Sequence, residues 1–124
     1  MNLLSVEDFE NHRQAVRVWA ELPVVLKTPL EAEARTINVS LAGILIDRLV
    51  KLPMGEEILM SLYTSSGIVN LLGTIVRLNR DRKQTAIKLP PLSPRNEEAL
   101  NHPIMEMQRK LLNTARNVRS QARF

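Results

Sequence analysis

The chain has 124 residues and no cysteine, enough for one domain with its own core and incompatible with a disulfide scaffold or thiolate chemistry. Its formal charge is +4, yet five cations (Arg109, Lys110, Arg116, Arg119 and Arg123) follow Gln108 with no acidic residue among them, leaving 12 basic against 13 acidic residues in the body. The basic character belongs to a C-terminal segment, so a phosphate-backbone footprint across the whole domain is not supported. Met1 to Asp8 carries no basic n-region, the pair Leu3-Leu4 is too short for a signal sequence, and no stretch approaches transmembrane length. The chain is expected to be soluble and cytoplasmic, with no integral membrane segment.

Ser5-Val-Glu-Asp8 resembles a capping box opening a helix of about two turns. From Arg17 to Lys27 apolar and β-branched residues alternate with polar ones and define a first strand, which Pro23 forces to be an edge or a bulge because proline has no amide for a ladder. Trp19 within it reads as barrel packing, or at most a lid. Thr28-Pro29-Leu30-Glu31 is a turn, and Ala32 to Asn38 returns as a second strand, making a hairpin. Further strands are expected at Gly43 to Asp47, Glu57 to Thr64, Ile68 to Asn79 (with Gly73 as a bulge or barrel corner) and Gln84 to Leu89. Six strands joined by short turns predict a mainly β fold, a closed or nearly closed antiparallel barrel. Ser93-Pro94 then starts a C-terminal α-helix, broken or restarted at Asn101-His102-Pro103. The organisation expected is an N-terminal segment at 1–12, the barrel at 13–92 and a helical region at 93–124.

The chain has two histidines, His12 and His102, with no serine, cysteine or carboxylate set at a catalytic or metal-ligating spacing. His102 reads as a solvated residue at a helix start. The four glycines never cluster, so neither a P-loop nor a dinucleotide fingerprint is present. No enzyme, metal or cofactor is expected. Two motifs stand out: Arg13-Gln-Ala-Val-Arg17 just before the first strand, and Asn38-Val-Ser-Leu-Ala-Gly43 just after the second. Antiparallel pairing of the hairpin brings both to one end. Arg13 and Arg17, four apart, would share a helical face, a like-charged arrangement that a bound phosphate would relieve. A guanidinium can also fork onto guanine O6 and N7, Asn38 can meet a base edge, the Ser40 hydroxyl can reach a phosphate or base, and Gly43 permits close approach of the backbone.

The two motifs, in this order and spacing, resemble those of the PilZ domain, a six-stranded barrel that binds the second messenger cyclic di-GMP, over about Asn11 to Leu100. The resemblance implies that Arg13 and Arg17 clamp phosphate and guanine as an N-terminal segment closes over the ligand, and that Asn38, Ser40 and Gly43 hold a guanine on the barrel surface. It makes His12, which stands where the family often has an arginine, a further candidate for ligand contact. Arg77, late in the long strand, is another. The last strand departs from the family, reading Ala86-Ile-Lys-Leu89 where a glycine and an aromatic are usual.

Leu100, Ile104, Met107, Leu111, Ala115, Val118 and Ala122 recur at helical spacing and form an apolar stripe. It is expected to fold back on the barrel or to serve self-association or a protein partner, in preference to contact with an anionic membrane, since its apolar face has only alanine and valine near the end and no aromatic until Phe124. Three functions follow: a cyclic di-GMP receptor acting as an adaptor; a PilZ-like interaction module that no longer binds nucleotide; and a small barrel binding RNA or DNA. The last is disfavoured because base-stacking aromatics are few.

Overall fold

Buried and exposed side chains alternate along the strands, and the inward set (Val24, Leu26, Ile44, Ile46, Ile58, Met60, Ile87) is between 0% and 3% exposed. That alternation is the signature of strands with one face on a core and one face to water. In the computed structural model, which describes the backbone of residues 17–121 and side chains to residue 113, these segments form seven strands and one helix. The strands are β1 (Val18–Trp19), β2 (Pro23–Thr28), β3 (Ala32–Val39), β4 (Gly43–Ile46), β5 (Glu57–Thr64), β6 (Gly67–Asn79) and β7 (Gln84–Lys88), and the helix α1 spans Pro94–Gln121. The capping box at Ser5, together with His12 and Arg13, lies outside the described residues.

All pairings are antiparallel, in the order β3-β2-β5-β6-β7-β4, and β4 returns to β3. The result is a closed six-stranded barrel, as expected, with β1 as an extra strand on β3. The expected first strand is thus two pieces. Trp19 pairs with Asn38 and Pro23 with Arg35, so three residues, Ala20 to Leu22, face only Thr36 and Ile37: a bulge directly before the proline. Thr36 makes this irregularity tolerable. Its hydroxyl, 1% exposed, accepts the Leu22 amide at 2.9 Å and donates to the Ala20 carbonyl, so the bulge leaves neither group unpaired. Across β4, where Ile46 pairs with both threonines, Thr85 does the same for the segment between β4 and β5. Its hydroxyl accepts the Val50 amide at 3.0 Å and donates to the Arg48 carbonyl at 2.7 Å, seating Val50 in the core.

Two expectations need correction. Gly73 is not a bulge: it pairs regularly with Ile58, and the fault in β6 lies at Val76, between Ile75 and Arg77. A Cβ at Gly73 would collide with the Ile87 side chain, which accounts for glycine there. The helix does not break at Pro103 but runs unbroken to Gln121. Pro103 is buried against the barrel between Leu100 (0% exposed) and Ile104 (5%), and this burial offsets the roughly 3 kcal/mol that an interior proline costs. His102 accordingly sits within the helix, its Nδ1 2.9 Å from the Ser66 hydroxyl in the β5–β6 turn. The start of α1 is as expected: the Ser93 hydroxyl accepts the Asn96 amide at 3.2 Å and Pro94 takes the first position. Among the described side chains the barrel covers the apolar stripe as far as half-buried Met107, and Leu111 is 48% exposed.

Thr36→Val keeps the shape of the side chain but strands a buried amide and a buried carbonyl. It should lower stability by about 1–3 kcal/mol, read as a lower urea midpoint with an unchanged slope. An unaltered midpoint would show that the bulge does not need the hydroxyl.

Candidate nucleotide-binding site

Leu45 lies between Ile44 and Ile46, both buried, so it faces outward. Its pairing extends an outward row across four strands: Asn38 on β3 opposite Leu45, Leu45 opposite Ala86 on β7, Ala86 opposite Arg77 on β6. Three strand spacings put the Cα atoms of the terminal residues about 14 Å apart. Both ends of this row exist because of a register fault. Thr36 pairs with Ile46 but Asn38 with Leu45, which leaves Ile37 extra and turns Asn38 to the outer face; Ile75 pairs with Ile87 but Arg77 with Ala86, which leaves Val76 extra and turns Arg77 outward. In a regular ladder Asn38 would face Ile44 and Arg77 would face Thr85, both inside the barrel.

The row forms the floor of an open groove of about 520 Å³, lined also by Arg17, Gly43, Val76 and Lys88, within the range of about 300–1,000 Å³ usual for ligand pockets. Its floor is apolar at Leu45, Ala86 and Val76. Its polar groups are the Asn38 carboxamide and three cations, Arg17, Arg77 and Lys88, and no described lining residue is acidic. None of these cations has an ion pair or side-chain hydrogen bond among the described residues. Arg17 and Arg77 are exposed, whereas Asn38 is 8% exposed, packed on the outer face between Leu45 and Trp19. Trp19, read from the sequence as barrel packing or at most a lid, is 67% exposed: it shares a side with Asn38, while its neighbour Val18 points inward at 3%.

Ser40 and Gly43 shape the loop between β3 and β4. The Ser40 hydroxyl, 1% exposed, accepts the Ala42 and Gly43 amides at 3.2 and 3.0 Å and lies 3.1 Å from the Gly43 carbonyl, to which it donates. The Ala42 carbonyl in turn accepts the Leu89 amide at 2.9 Å, fastening the loop to the end of β7. In this structure the hydroxyl is directed into the loop rather than towards the groove. Gly43 is required by close approach, since a Cβ there would lie 2.9 Å from the Ile87 carbonyl oxygen. Of the residues expected at the site, Arg17, Asn38, Gly43 and Arg77 are thus brought to one groove and Ser40 underpins it, while His12 and Arg13 lie outside the described residues. Sequence reasoning missed Leu45, Val76, Ala86 and Lys88. For Lys88 a signal was present, because alternation through Gln84–Leu89 puts it on the outer face.

The chain belongs to the PilZ domain family, whose pattern it matches over residues 11–106. Among solved structures it is similar to the PilZ domain of CeSA from a cellulose-synthesizing bacterium, at 13% identity with a TM-score of 0.64 over 76% of this chain and 99% of that one. It is similar to YcgR of Escherichia coli, solved in complex with c-di-GMP, at 17% identity and a TM-score of 0.71 over 83% of this chain. It is also similar to the Bacillus subtilis inhibitor of motility MotI/DgrA, at 17% identity and a TM-score of 0.65 over 79% of this chain. The matches span 49% of YcgR and 50% of MotI/DgrA, so the likeness there is to about half of each protein. No curated protein matches the sequence. No described helix is long and apolar enough to cross a membrane, and no three described His, Asp or Glu residues cluster as a metal site.

Gly43→Ala tests the closure beneath the groove. The added methyl must push the Ile87 carbonyl aside, and overpacking of this kind costs about 1–3 kcal/mol. A lower melting temperature with faster exchange of the β4 and β7 amides is expected; a variant melting like the wild type would mean that the strands part without penalty.

Proposed function

We propose that this chain is a cyclic di-GMP receptor that acts as an adaptor, without catalysis, and that the groove above the Asn38–Arg77 row holds the nucleotide. The observation that carries this reading is the meeting of Arg17, Asn38, Gly43 and Arg77 in a groove with cations, an apolar floor and no described carboxylate. A dianionic ligand with flat bases suits such a surface. Phosphate satisfies guanidinium groups that lack partners among the described residues, and a guanine lies on Leu45 and Ala86 with its edge at the Asn38 carboxamide. The loop built on Ser40 and Gly43 keeps the backbone beneath the ligand close and rigid. YcgR, whose PilZ domain is known with c-di-GMP, supports the same assignment through its similar fold.

In this reading Arg13 joins Arg17 on the ligand from the preceding segment, with His12 beside it, and their closure is the signal. Moving that segment from 10% to 90% closed requires about an 80-fold preference of ligand for the closed state, roughly 2.6 kcal/mol, which two charge-assisted contacts can supply. A downstream protein then docks on the altered surface and on the distal part of α1, where Leu111 and Leu112 are 48% and 59% exposed. The reading sets the receptor in the cytoplasm.

Calorimetric titration with cyclic di-GMP should show saturable binding by the wild-type chain. Binding should fall by about 10-fold or more for Arg17→Ala, whose partner is charged, and by less for Asn38→Ala, since a neutral hydrogen bond contributes about 0.5–1.5 kcal/mol against about 1.5–3 for a charged one. Both variants should melt as folded proteins; absence of binding by the wild type overturns the assignment. Hydrogen exchange tests the closure separately. Ligand should raise protection in residues 6–17 and in the Asn38–Gly43 loop with little change in the barrel strands, and equal protection of residues 6–17 in both states would remove the clamp from the account.

A further inference from the structure

Lys88 lies outside both sequence motifs, yet the pairing of β7 brings it to their groove. It is the last residue of β7, exposed, and directly opposite Gly43 on β4 and Thr74 on β6. The glycine is decisive. At the facing position there is no side chain to stand between Lys88 and the Ser40–Gly43 loop, and any side chain there would strike the Ile87 carbonyl. The ammonium can therefore swing across the turn of the loop or along the row towards Ala86 and Arg77. No described carboxylate lines the groove to hold it elsewhere, and it has no ion pair or side-chain hydrogen bond among the described residues. Arg17 and Lys88 thus approach the loop from β1 and β7, while Arg77 stands at the end of the row.

We propose that Lys88 is an affinity-determining residue that binds a phosphate of the nucleotide across Gly43, giving the site a second cationic wall on β6 and β7. This deepens the reading of the groove as a cyclic di-GMP site and rests on it. Three cations line one groove with an apolar floor, none of them paired among the described residues, and a dianion brings opposite charge to all three. A lysine suits this role because a compact ammonium on a flexible stem follows a phosphate through small changes in ligand pose. Arg17 and Lys88 then divide the phosphates between the two sides of the loop. The docked nucleotide bridges β1, β4 and β7, strands that are otherwise joined only through the barrel ladder.

The test is titration of wild type, Lys88→Ala, Lys88→Arg and Lys88→Glu with cyclic di-GMP at low and at high salt, beside thermal melts of each. Lys88→Ala should bind about 10-fold more weakly, Lys88→Glu more weakly still and Lys88→Arg nearly as wild type, with unchanged melting, since the side chain lies outside the core. The difference between wild type and Lys88→Ala should shrink at high salt. A wild type that binds with Lys88→Ala indistinguishable from it overturns the role of Lys88 while leaving the site in place. A wild type that does not bind removes the reading beneath it. A loss in Lys88→Ala that Lys88→Arg fails to restore, or one that comes with a lowered melting temperature, assigns Lys88 to the fold and also overturns the proposal.

Discussion

Closure of the barrel depends on β4, a strand of four residues hydrogen-bonded along both edges, to β3 and to β7. A strand so short contributes few ladder bonds, so its neighbours must come close, and Gly43 is where that closeness has its steric limit. The same residue ends the Ser40 loop and faces Lys88. One missing Cβ therefore closes the sheet, tightens the loop and leaves the outer surface open above it. Were β4 displaced, the Asn38–Leu45–Ala86–Arg77 row would lose its middle, and the groove would lose its floor.

The groove also illustrates how a sheet that must bury one face can still present chosen polar groups on the other. Alternation alone would send Asn38 and Arg77 into the core. A single extra residue in β3 and another in β6 reverse each in turn, and the two faults lie at opposite ends of one cross-strand row. At the first fault the Ile37 carbonyl accepts the Ala20 amide at 3.1 Å, and at the second the side chains of Val76 and Arg77 are exposed. Polar groups held by a paired strand rather than by a free loop have little freedom left to lose when a ligand arrives.

Much of this was legible in the residues. Period-2 alternation marked the strands, Ser93-Pro94 marked the start of α1, and the spacing of Arg17 from Asn38–Gly43 placed that arginine and the loop at one end of a hairpin. What the sequence concealed was register. A bulge is a property of two strands at once, so Gly73 looked like one because glycine often marks them, whereas the fault fell at Val76, a residue with no local signal. Pro103 misled for a related reason: its local penalty was readable, but the burial of Leu100 and Ile104 that overrides it depends on the barrel. Of the two readings of Trp19, barrel packing or a lid, packing was the weaker, since its place between inward Val18 and inward Ala20 already pointed it outward. That Leu45, Ala86 and Lys88 share one groove could not be read until β7 was set between β4 and β6.

If the two bulges define one ligand surface running from Asn38 to Arg77, amide chemical-shift mapping of the isotope-labelled chain titrated with cyclic di-GMP will outline it. Perturbations should concentrate at Arg17, Asn38 to Leu45, Val76 to Arg77 and Ala86 to Lys88, with little change across β2 and β5. Perturbations centred instead on the cleft between β1 and α1, around Leu22, Ile104 and Met107, or on the outer face of β5 and β6, would contradict it.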